Sequence, residues 1–105
     1  MNTAKRGEIW VVDFGMIAKV RPALIFSTTF RADERALYGA VPHTTSTRGG
    51  RFEINIPFRF LDEGAFDAQS LGPVRPTMLV RKLGVMNSTQ LSQIEAAVKL
   101  WLELK

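Results

Sequence analysis

Lys19, Arg21, His43, Thr44, Thr45 and Ser46 are the residues of this chain whose types and spacing can do chemistry. Lys19 and Arg21 flank the entry to an apolar run that includes Ala23, Leu24, Ile25 and Phe26. His43 and the three hydroxyl residues follow the exit of another, residues 36–41. If the two runs are neighbouring strands, Arg21 and the Thr44 region face one pocket. Such a pocket suits a phosphodiester. A guanidinium neutralises charge that develops on a pentacovalent phosphorane, and hydroxyls donate to its oxygens. An RNA substrate also brings its own nucleophile, the 2′-hydroxyl. Cleavage then requires proton transfer and charge stabilisation, with neither a metal ion nor a covalent intermediate. His43 has the ordinary pKa suited to that proton transfer; its alternatives are an RNA contact or a packing role.

Other groups extend the set. Lys19 is either an RNA contact or a plain surface charge. Arg48 and Arg51 flank Gly49 and Gly50. They either track an RNA backbone electrostatically or solvate a loop. Gln69 and Ser70 can read a base edge. Arg81 either reaches the site or braces a dimer. The excess of 14 basic over 10 acidic side chains leans mildly toward an anionic partner. Nine of the bases are arginines, whose forks pair bidentately with phosphate.

Several chemistries lack their parts. The chain has no cysteine and one histidine, so thiol catalysis, disulfides and a typical zinc site are excluded. Carboxylates are scattered, and no Gly-rich phosphate loop or Ser/His/Asp signature occurs. No cofactor and no metal are expected. No apolar run is long enough to cross a bilayer, and the first seven residues lack the apolar stretch of a secretory signal. The expectation is a cytoplasmic protein with no membrane partner.

The elements that must position these groups are short. At 105 residues, 46% of them apolar, the chain is expected to form one domain, residues 1–105. Strands are predicted at residues 8–13, 20–27 and 36–41, with a polar loop over residues 42–50. Residues 51–60 give the clearest strand pattern, with Phe52, Ile54, Ile56, Phe58 and Phe60 alternating with polar residues. Pro57 makes that strand an edge or bends it. A short strand is predicted over residues 66–71, ended by Gly72 and Pro73, and a last one over residues 78–83. Asn87 or Ser88 caps a helix, Gln90 completes a capping box, and Leu91, Ile94, Val98 and Trp101 form its apolar stripe. Trp101 reads as a core anchor.

The chain resembles the MazF/PemK toxins of bacterial toxin–antitoxin pairs. The resemblance runs through Arg6-Gly7-Glu8-Ile9-Trp10, Val20-Arg21-Pro22-Ala23-Leu24-Ile25, Val41-Pro42-His43-Thr44 and Val80-Arg81-Lys82-Leu83-Gly84, then a helix near Leu91. It implies an SH3-like small β-barrel with a C-terminal helix, of the type shared with CcdB, usually as a homodimer. It implies metal-independent, sequence-selective cleavage of single-stranded RNA to a 2′,3′-cyclic phosphate and a 5′-hydroxyl. It also implies a cognate antitoxin. Arg21 falls on the family's catalytic arginine, with charge stabilisation and proton donation to the leaving oxygen as its roles. Thr44 falls on its phosphate-binding threonine. The family's first loop is often long and can carry an acid, whereas here it is short and carries Lys19; some members have an acid before the late arginine, where this chain has Met78, Leu79 and Val80 before Arg81. The resemblance therefore supplies no general base; His43 is the candidate. The alternatives are an inactive relative that binds RNA or protein, and a gyrase poison of the same fold.

Overall fold

The structure is a computed structural model and describes residues 2–17 and 19–105. Met1 of the N-terminal segment and Ala18 of the first loop lie outside the described residues. Among the described residues seven strands and one long helix follow in chain order: β1 (Glu8–Asp13), β2 (Val20–Ile25), β3 (Tyr38–Thr44), β4 (Glu53–Ile54), β5 (Ala65–Asp67), β6 (Gly72–Val74), β7 (Leu79–Val85) and α1 (Ser88–Leu102). The strands run β4-β5-β3-β2-β1-β7, and β6 adds to β3. All ladders are antiparallel. This is the small barrel-like sheet expected from the sequence, left open: among the described residues no ladder joins β4 to β7.

Side chains alternate across a strand, so a sheet covered on both faces reads as a continuous apolar run. That explains β2. Leu24 joins Ile9 and Val41 under the helix, where Ile94, Ala97 and Val98 cover them. Ala23 and Ile25 join Trp10, Val12, Tyr38 and Ala40 on the other face. The helix starts where its cap predicts. Asn87 Oδ1 accepts the Gln90 N–H at 2.8 Å, and Gln90 Oε1 accepts the Asn87 N–H at 2.9 Å. Trp101 is not the expected anchor. It sits past the last buried turn and stays 36% exposed, beside exposed Leu100, Leu102 and Leu104.

Three stretches differ from the sequence reading. Residues 51–60 keep their alternation, with Ile56 buried and Phe52, Ile54 and Phe58 packed on the core, but only Glu53–Ile54 pairs as a strand. Pro57 has no N–H to offer a ladder, and the chain turns at Phe60 instead. There the Phe60 ring lies on Gly84 of β7, where a Cβ would come within 2.8 Å of it. The predicted strand over residues 66–71 is three residues long and passes into a 3₁₀ turn, Ala68–Ser70. Gly72 and Pro73 do not end a strand but form one, β6, opposite Ala40 and Gly39. A proline is tolerated there because β6 is an edge.

Candidate functional site

The site begins where the β2–β3 ladder stops. Just beyond β2, Phe26 N–H donates to Gly39 O at 2.8 Å, so Leu24 and Pro22 are the residues of β2 whose backbone groups face β3. The next donor toward His43 would be Pro22, which has no N–H. The ladder ends at Ala23 opposite Pro42. Continuing its register sets Arg21 across from Thr44 on one sheet face, and Pro22 across from His43 on the other. β3 does not end at Val41 as its sequence suggests. It runs on through Thr44 because β5 pairs with it there, His43 with Phe66 and Thr44 with Ala65.

Two adjoining concavities meet at that opening, and Arg21, Thr44 and Ser46 line both. One, of 330 Å³, adds Lys19, His43, Phe60 and Asp62. The other, of 400 Å³, adds Arg48, Glu53, Asp67, Gln69 and Ser70. The fold therefore brings together nine of the eleven residues singled out in the sequence. Arg51 stands apart, exposed, with its guanidinium 4.7 Å over the Phe52 ring. Arg81 also stands apart, exposed on β7 opposite Val11.

Local chemistry fixes each group. Lys19 adopts a left-handed backbone, φ 61°, that closes the β1–β2 turn, and its carbonyl accepts the Phe14 N–H at 3.0 Å. Thr44 Oγ1 accepts the Ser46 N–H at 3.0 Å, which leaves the hydroxyl proton to donate into the groove. Ser70 Oγ donates to Asp67 Oδ2 at 2.7 Å, and Asp67 Oδ1 accepts the Gln69 N–H. Burial pushes the His43 imidazole below its ordinary 6.5, and the Asp62 carboxylate opposes that only in part. The resting imidazole is neutral at pH 7.

The groove is of mixed sign, with Lys19, Arg21 and Arg48 facing Glu53, Asp67 and Asp62. Two of the carboxylates build loops. Besides the Asp67 turn, Glu53 Oε1 accepts the backbone N–H groups of Arg48 and Gly49 at 2.9 and 2.7 Å. Glu53→Ala is expected to cost about 1 kcal/mol and to raise amide hydrogen exchange at Arg48 and Gly49. Unchanged protection there would show that this carboxylate does not hold the loop. Asp62 has no such duty; it makes no hydrogen bond among the described residues. The sequence reading did not single it out. Its only local signal is its place beside Glu63 and Gly64, which marks the chain reversal that carries it over β3. No three metal-ligating side chains cluster among the described residues, and no helix among them is long and apolar enough to cross a membrane.

Comparison with known proteins agrees with this architecture. The chain is similar to the MazE–MazF structure, form II, from Deinococcus radiodurans. That match has a TM-score of 0.81 at 19% identity and covers 100% of both chains. It is similar to an endoribonuclease from a mycobacterial species, with a TM-score of 0.79 at 24% identity over 99% of this chain and 95% of that one. A further match is an endoribonuclease in complex with its cognate antitoxin, also mycobacterial. Its TM-score is 0.79 at 24% identity, over 100% and 98% of the two chains. At these identities the likeness establishes the fold. No curated protein sequence matches the chain. A family model matches residues 5–102, nearly the whole length, and by that match the chain belongs to the PemK-like, MazF-like toxins of type II toxin–antitoxin systems.

Proposed function

We propose that this chain is an endoribonuclease toxin that cleaves single-stranded RNA sequence-selectively, without a metal ion, through the substrate's own 2′-hydroxyl. The observation that carries the reading is the opening between β2 and β3, which sets Arg21 across from Thr44 in a groove shared with Lys19, Arg48 and Gln69. Arg21 neutralises the charge that grows on the phosphorane oxygens, and Thr44 donates its hydroxyl to the scissile phosphate. Lys19 and Arg48 lie at the two ends of the groove, where flanking phosphates pass. Gln69 and Ser70 present amide and hydroxyl groups to a base edge. Arg51 and Arg81 contribute only to the field around the RNA. The reading includes growth inhibition, a cognate antitoxin that occupies the same groove, and a homodimer in which Arg81 lies away from the chemistry. Structural relatives described as an endoribonuclease, alone and in complex with its antitoxin, support it.

Incubation of the purified protein with single-stranded RNA in excess chelator tests this directly. The expected products are a 2′,3′-cyclic phosphate on one fragment and a 5′-hydroxyl on the other, at a recurrent short sequence. RNA that is bound and left whole would replace the enzyme with a binding module. Intact RNA with blocked supercoiling would instead mark a gyrase poison.

A further inference from the structure

His43 is 5% exposed, and its ring packs edge-on against Phe66 at 5.1 Å. A buried imidazole ordinarily hands both nitrogens to protein partners. This one makes no hydrogen bond among the described residues. Yet no side-chain nitrogen or oxygen among them is both sealed from the surface and unpartnered. The two ring nitrogens therefore keep access to the outside, and the openings they have are two cavities that His43 itself lines. One is the groove with Arg21 and Thr44. The other, of 540 Å³, lies under residues 55–64. Asp62 and Leu61 line both as well.

The charged groups around the ring come from two sides. Lys19 and Arg21 approach from the β2 side, and Asp62 and Glu63 from the loop above. β5 offers only the Phe66 ring. Gly64 brings the loop down, since a Cβ there would meet His43 Cε1 at 2.9 Å. Asp62 is the carboxylate of the groove with no loop-building hydrogen bond.

We propose that His43 takes the proton from the substrate's 2′-hydroxyl and that Asp62 is its positioning residue, stabilising the imidazolium as it forms. The inference rests on the endoribonuclease reading above. In the step, the neutral imidazole accepts the 2′-O–H proton while the 2′-oxygen bonds to phosphorus. The P–O5′ bond breaks, and the leaving 5′-oxygen takes a proton from water. The imidazolium returns its proton to the hydroxide left behind, so no proton is consumed overall. A neutral resting base needs no prior deprotonation at pH 7, which is what burial supplies. Asp62 acts on the ring through its charge, favouring the imidazolium as it forms.

The test is single-turnover cleavage across pH of an RNA that the native protein cuts. His43→Gln is expected to lower the rate about 100-fold and to remove the acidic limb of the pH profile, with RNA affinity kept within a few-fold. A substrate with sulfur in place of the bridging 5′-oxygen, which leaves without a proton, should not restore it. Asp62→Asn, an exposed change, should lower the rate about tenfold and move the acidic limb to lower pH, because Asp62 raises the imidazole pKa. A His43→Gln protein that cuts at the native rate would overturn the proposal and leave the endoribonuclease reading standing. Rescue by the sulfur substrate would overturn it too, since His43 would then be the acid. An unmoved pH profile in Asp62→Asn removes Asp62 from the proposal. A native protein that cuts no RNA removes both readings together.

Discussion

Arg21→Ala is expected to lower the rate of RNA cleavage about a thousandfold or more while shifting the thermal midpoint by only a few degrees. The two halves of that statement have different origins. The rate effect follows from position. Arg21 lines both concavities, opposite a hydroxyl held for donation, at a point where the sheet has opened. A planar guanidinium places two parallel N–H groups on two phosphate oxygens, and the charge on those oxygens is greatest in the transition state. Arg21→Lys keeps the charge and loses the fork, so it should recover only a small part of the rate. The stability half follows from exposure. Arg21 is half-buried at the end of its ladder, and the apolar contacts of β2 lie further along, at Ala23, Leu24 and Ile25. Arg48→Ala supplies the contrast: it should weaken binding and flatten its salt dependence, with little change in the bound rate. A near-native single-turnover rate for Arg21→Ala would mean that phosphate charge is met elsewhere, and the assignment of this opening as the reaction centre would fall.

Arg21 and Thr44 were legible in the sequence because neighbouring antiparallel strands carry their own register. Two apolar runs, each with its polar residues at one end, bring those ends together once the runs pair. The extent of β3 was not legible in the same way. Locally, Pro42, His43 and Thr44 read as the start of a polar loop, and what makes them a strand is pairing with Phe66 and Ala65, more than twenty residues on. Long-range pairing leaves no local periodicity to read. Residues 51–60 show the converse. Their alternation reports which side chains face the core, which the fold respects, but alternation does not guarantee a partner strand. β6 was hidden because Gly72 and Pro73 are turn formers by composition and strand formers here by position, on an edge of β3. Trp101 was misjudged because the helical stripe says which face is apolar, not how far along the helix the sheet extends to cover it. Charge type could not separate Arg48 from Arg51, three residues apart, since one loop hydrogen-bonded to Glu53 turns the first into the groove and leaves the second over Phe52.

Gly64→Ala should damage stability and catalysis together, which is the mark of a residue that seats the site without touching substrate. A Cβ built on Gly64 lands on the Thr44 carbonyl oxygen and comes within 3.0 Å of the Thr44 carbonyl carbon and 2.9 Å of His43 Cε1. The first obstacle is backbone within the β3–β5 pairing, so no side-chain rotation relieves it. Either the loop lifts from β3 or the end of β3 gives way, at a cost of about 1–3 kcal/mol. In a chain of this size that lowers the thermal midpoint by roughly 4–8 °C per kcal/mol. Lifting the loop also carries Asp62 away from the imidazole. At a temperature where Gly64→Ala is still folded, its cleavage profile should therefore show the same displaced acidic limb as Asp62→Asn. The backbone of Gly64 is not in the left-handed region, so the cost is one of space alone. Gly50→Ala is the matched control. It also lacks a positive φ, has nothing within 4 Å of its built Cβ, and should be neutral or slightly stabilising. If Gly64→Ala melts and cleaves like the native protein, the loop does not rest on Thr44, and Asp62 loses the contact that puts it beside His43.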